Sequence, residues 1–137
     1  YIFGSGYSDT VTGYDVMMLK LDKDGKVLSK SFVGGGGAEY GYGVHATGSN
    51  FIVAGSTTSS TAGGRDVYIV SVKTDGTKAW SKIIGGAQDD IGNAITAVGG
   101  DYVVAGSTKS WGKGGSDTYI LRANTAGFAP AEPNPAL

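Results

Sequence analysis

The chain repeats itself every 51 residues, and this repeat constrains the fold more than any other feature of the sequence. Asp15-Val16 returns as Asp66-Val67, and Asp117 follows at the same spacing. Asp24-Gly25 returns as Asp75-Gly76, Gly34-Gly35 as Gly85-Gly86, and Gly63-Gly64 as Gly114-Gly115. Val53-Ala54-Gly55-Ser56-Thr57 returns as Val104-Ala105-Gly106-Ser107-Thr108, and Gly4-Ser5 is an earlier copy of its Gly-Ser pair. Residues 15–65 and 66–116 share 17 identities in 51 pairs, with no insertion or deletion. Such a unit buries its apolar face against its neighbours rather than alone.

Each copy reads as four short strands. In the second they are Asp66 to Lys73, Lys78 to Ile84, Gly92 to Val98 and Asp101 to Thr108. Asp75-Gly76 reads as a hairpin turn whose two residues supply positive φ angles, and Gly99-Gly100 turns the other pair. Short strands at regular spacing, with turn signals between them, predict an all-β fold. The 66–73 segment is apolar on both faces at its centre, so its sheet is expected to be covered on both sides. A repeat of about 50 residues and four strands is the size of one β-propeller blade. The small-residue strand 92–98 is expected innermost. The strand with Lys78, Trp80 and Lys82 is expected outermost, because charge is tolerated at a sheet edge.

At this spacing the chain holds about 2.7 blades: a partial blade at 1–33, a full blade at 41–84 and a partial blade at 92–127. A closed propeller takes about 4–8 blades. Further blades are therefore the expected partners, from the same parent chain or from identical chains. An open stack of three blades is the third arrangement. Tyr1 already stands in a β-like run with neither an initiator Met nor a signal peptide ahead of it, so an N-terminal part is expected to be missing. The pattern lapses from Asn124, and residues 128–137, with Pro130, Pro133 and Pro135, read as a linker or tail.

Composition narrows the classes further. Gly makes up 25 of the 137 residues, which excludes a helical bundle, since an interior helical Gly costs about 1 kcal/mol against Ala. Of those Gly, 19 recur at the repeat spacing, so they mark turns and close packing copied with each unit rather than flexibility. A hydrophobic content of 40% argues against disorder. A net charge of -1 leaves no electrostatic footprint for nucleic acid or an anionic membrane. No apolar run approaches the roughly 20 residues of a membrane span. The absence of Cys removes disulfides, thiolate nucleophiles and Cys-based zinc sites.

The order Asp66-Val67, Asp75-Gly76, Trp80, Gly85-Gly86, Asp89-Asp90 and Ala105-Gly106-Ser107-Thr108 resembles the β-propeller repeats of bacteria and archaea. The resemblance spans nearly all of residues 1–127. It implies propeller blades and an extracellular or cell-surface location, and no particular activity. The first copy departs from it: Ser29 stands at the Trp80 position, and Ala38-Glu39 at that of Asp89-Asp90.

Candidate chemistry concentrates on the longer connections, 6–14, 34–40, 57–65, 85–91 and 109–116, which an antiparallel blade places on one face. Trp111, between Lys109 and Lys113, has Asp9 and Ser60 as repeat equivalents, so no repeat-wide packing role accounts for it. An aromatic there can stack on a sugar, anchor a partner or cover a neighbouring blade. Asp89 and Asp90 can contribute oxygen ligands to a cation or accept backbone N–H groups as loop caps, and the Ala38-Glu39 equivalent favours caps. Asp15, Asp66 and Asp117 are expected to tie loops to strands. His45 is the only His and is expected to line a channel or interface. The Gly34–Gly37 run lacks the Lys-Ser/Thr and helix of a phosphate loop. Asp22-Lys23-Asp24-Gly25 lacks the Glu that closes an EF-hand loop, since Val33 stands there. No cofactor, metal or catalytic set is expected. The sequence reads as a non-catalytic binding or scaffold module, with Trp111, Asp89, Asp90, Lys109 and Lys113 as candidate ligand contacts. The alternative is a sugar-binding propeller assembled from several short chains.

Overall fold

The computed structural model describes residues 1–8 and 13–124. Residue Asp9, in the first long loop, and the Pro-rich segment lie outside the described residues. The elements are β1 (Ile2–Tyr7), β2 (Tyr14–Leu21), β3 (Val27–Val33), β4 (Glu39–Ala46), β5 (Asn50–Thr57), β6 (Asp66–Lys73), β7 (Lys78–Ile84), β8 (Asp90–Val98), β9 (Asp101–Thr108) and β10 (Asp117–Asn124). They form three antiparallel sheets in chain order. The first is β1-β2-β3, the central one β4-β5-β6-β7, and the third β8-β9-β10. No helix occurs among the described residues. The all-β expectation holds, and no sheet closes into a barrel, because each has two edge strands.

The strands follow the repeat. β2, β6 and β10 begin at Tyr14, Asp66 and Asp117, and β5 and β9 begin at Asn50 and Asp101. The expected inner strands start two residues earlier than Gly41 and Gly92, at Glu39 and Asp90. Those two carboxylates are fully buried and hydrogen-bonded at the start of their strands, which extends the ladder to Thr57 and Thr108.

Two apolar cores lie between consecutive sheets. Val16, Met18 and Val33 of the first sheet meet Val53, Tyr68, Val70 and Val72 of the central one. Ile52, Ala54, Val67 and Ile69 on the other face of the central sheet meet Tyr102, Val104, Tyr119 and Leu121 of the third. This explains β6. All its residues from Asp66 to Val72 are buried, because the central sheet is covered on both faces. β10 has a neighbour on one side only, so Tyr119, Leu121 and Ala123 are buried while Thr118, Ile120 and Arg122 are exposed. β7 stands at a sheet edge as its lysines predict, and Trp80 on it reaches Tyr102 of the third sheet, with ring centroids 6.2 Å apart.

The Asp-Gly turns differ in one respect from the sequence expectation. Only the Gly of each pair has positive φ, at 82° for Gly25 and 88° for Gly76. The Gly76 N–H donates to the Lys73 carbonyl and the Lys73 N–H to the Thr77 carbonyl, with a register shift beside Val72. This is a type I turn closed by a left-handed Gly and a bulge, not a two-residue turn with both angles positive. Asp75 supplies its side chain instead, accepting from the Thr77 N–H at 2.9 Å.

Candidate functional site

The long connections 34–38, 58–65, 85–89 and 109–116 leave the sheets at the end opposite the Asp-Gly turns. They are held by one device, used twice. Asp90 opens β8, and its carboxylate accepts from the Gly86 N–H at 2.8 Å, from Ser110 Oγ at 2.7 Å and from Thr108 Oγ1. Glu39 opens β4 and accepts from the Gly35 N–H at 2.6 Å, from Thr57 Oγ1 at 2.6 Å and from Ser59 Oγ. Gly35 and Gly86, Thr57 and Thr108, and Ser59 and Ser110 are repeat equivalents. The extra methylene of Glu39 therefore leaves the donor set unchanged. Donors from two successive loops converge on one carboxylate, which offers about four lone-pair sites.

A second carboxylate stands behind each clasp. Asp15, second in β2, and Asp66, first in β6, are both buried. Ser8 Oγ donates to Asp15, and the Ala62 N–H donates to Asp66 at 2.9 Å. A Cβ on Gly34 would collide with both Asp15 and Glu39, and one on Gly85 would collide with Asp66. The glycines let the acids approach the loop backbone. Burial pushes the Asp66 carboxyl above its usual range, and the Asp90 charge adds to this against the Ala62 hydrogen bond.

Asp89 and Asp90 do not act together. Asp90 opens β8 and is fully buried, while Asp89, the last residue of the connection before it, stays half-exposed. Asp89 accepts from the Arg65 N–H at 3.0 Å and pairs with Lys109 at 3.0 Å. Both contacts, the backbone one foremost, hold its carboxyl below its usual range. Trp111 stacks on Tyr119 with centroids 5.6 Å apart and rings 15° from parallel, and packs against the core between the central and third sheets. Lys113 is exposed on the same loop, and His45 is half-buried on β4, paired with Ile52. The Gly34–Gly37 run spends donors internally: the Gly35 N–H goes to Glu39 and the Gly37 N–H to Ser59 Oγ at 2.6 Å. Among the described residues no group of three or more His, Asp or Glu side chains is placed to hold a metal ion.

An aromatic strip escaped the sequence reading. Tyr7 and Tyr14 face each other across the β1–β2 ladder, edge to face at 5.7 Å. Tyr14 stacks on Tyr40 at 5.7 Å, and Tyr42 lies parallel to Tyr40 at 6.4 Å. The Arg65 guanidinium carbon sits 5.3 Å from the centre of the Tyr40 ring. Tyr7 is 68% exposed, and Tyr14 and Tyr42 are exposed as well. The repeat equivalents of Tyr7, Tyr40 and Tyr42 are Thr58, Ile91 and Asn93, so the strip departs from the repeat just as Trp111 does. Applied to tyrosine, the comparison that singled out Trp111 would have found it. No family model matches the chain, and no curated protein matches it significantly.

Proposed function

We propose that the chain is a non-catalytic binding and scaffold module of propeller-type blades, about 51 residues each, which presents its long-loop face to a ligand outside the cell or at its surface. What carries the reading is the paired clasp at Glu39 and Asp90. It fixes four long connections to the sheet ends with hydrogen bonds to two buried carboxylates. Loops held in this way form a preorganised surface whose exposed residues are free to vary. Further blades, from a parent chain or from identical chains, cover the sheets at the two ends.

A sugar ligand is favoured by a specific observation, the exposed Tyr7–Tyr14–Tyr40–Tyr42 strip with Arg65 beside it. Aromatic faces stack on the apolar side of a sugar ring while Arg donates to its hydroxyls. Trp111 has Tyr119 against its ring and serves packing instead. A glycan array, followed by amide-shift mapping of any hit, tests both readings. Shifts confined to the long loops and the tyrosine strip are expected, with binding lost in Tyr40→Ala. Shifts at the opposite turns, 22–26 and 74–77, or turnover of the ligand, would contradict the proposal.

A further inference from the structure

The repeat makes it possible to compare a covered sheet face with an uncovered one, residue by residue. On the central sheet, Ile52, Ala54, Val67 and Ile69 are all buried against the third sheet. Their equivalents on the third sheet are Val103, Ala105, Thr118 and Ile120. Here Ile69 is 0% exposed but Ile120 is 47% exposed. On its opposite face the central sheet buries Val53, Tyr68 and Val70 against the first sheet. Their equivalents on the first sheet are Ile2, Met17 and Leu19. Ile2 is 51% exposed, and Met17 and Leu19 are partly exposed.

The two uncovered faces are thus of opposite kinds, and each is the type that the other's kind already covers within the molecule. We infer that they dock on each other between copies of this chain: the Val103–Ala105–Ile120 face of one copy receives the Ile2–Met17–Leu19 face of the next. The occupant is a second copy because the contact continues an interface the chain already makes twice, with apolar residues at the equivalent positions except Thr118, which stands where the central sheet has Val67. Charge does not oppose it. Arg122, flanking the first face, is paired with Asp101, and Lys30, beside the second, lies 5.2 Å over the Phe32 ring. Such a contact is heterologous, so it grows into a ring or an open stack rather than stopping at a symmetric dimer. The inference rests on the blade reading above.

Two variants test it by sedimentation velocity. Ile120→Asp breaks one face and Leu19→Asp the other, each at a position that is not fully buried. Ile2→Asp replaces Leu19→Asp if that variant fails to give a folded amide spectrum. The wild-type mass is expected to rise with concentration. Each variant alone should stay monomeric, its association weakened roughly 100-fold by a charge buried at the contact. An equimolar mixture should form a 1:1 dimer and nothing larger, since one intact face of each kind remains. A wild-type chain that stays monomeric at hundreds of micromolar, a mixture that stays monomeric, or a variant that dimerises alone would overturn the head-to-tail contact. A methyl contact expected between Ile69 and Leu121, which share one core, is measured in the same samples and reports on the blade reading separately. Its loss, and not the loss of association, would count against that reading.

Discussion

Ile69→Ala and Ile120→Ala are the same chemical change at equivalent repeat positions, and the structure assigns them different costs. Each removes three carbons. At Ile69, fully buried between the central and third sheets, the transfer loss is about 2.4 kcal/mol at about 0.8 kcal/mol per methylene. The cavity left between the sheets raises the total to about 3–4 kcal/mol. Ile120 is 47% exposed, so about half the transfer loss applies and no closed cavity forms. Its cost should be about 1 kcal/mol. Urea denaturation followed by tryptophan fluorescence measures both, at a protein concentration low enough to keep the chain monomeric. A difference of about 2 kcal/mol or more, with unchanged m-values, is expected. Equal losses would refute the reasoning, because they would mean that Ile120 is covered within one chain or that Ile69 is not in a core.

Three further outcomes follow from the clasps. Asp66 keeps its proton more tightly folded than unfolded, so its contribution to stability is greatest at or below the ordinary carboxyl value of 3.8 and is lost as pH rises through the raised folded pKa. Asp66→Asn should therefore be neutral to stabilising at pH 7 and should flatten the stability profile above that value, as read by thermal melts from pH 3 to 8. Gly85→Ala, whose Cβ would strike Asp66, should destabilise by about 1–3 kcal/mol in the same assay. Lys109→Ala removes only a half-exposed pair with Asp89 and should leave the melting temperature close to that of the wild type in the same assay.

The strands were legible because they repeat. The hydrophobic run at 66–73, the lysines at 78 and 82 and the glycine pairs each recur or sit at one position in the unit, and the sheet order follows from them. The clasps were legible only in part. Asp89-Asp90 looks like a pair in sequence, yet the strand begins between them: Asp90 opens β8 and is buried, while Asp89 stays in the loop against Arg65 and Lys109. Besides the nearby Gly86 N–H, the partners of Asp90 are Thr108 and Ser110, one strand and one loop further along the chain. Glu39 reads as a substitution, whereas its longer side chain meets the same donors. The departure of Tyr7, Tyr40 and Tyr42 from the repeat is visible in sequence, but their meeting with Tyr14 in one strip needs β1 and β2 of the first sheet beside β4 of the central one.

The central claim is that units of 51 residues stack as sheets in chain order, each covering the next. Methyl-to-methyl nuclear Overhauser contacts in the labelled chain test it most directly. Contacts of Ile69 and Val67 with Val104 and Leu121, and of Val70 and Val72 with Val16 and Met18, are expected. Direct intramolecular contacts of Val16 or Met18 with Val104 or Leu121, bypassing the central sheet, would contradict it.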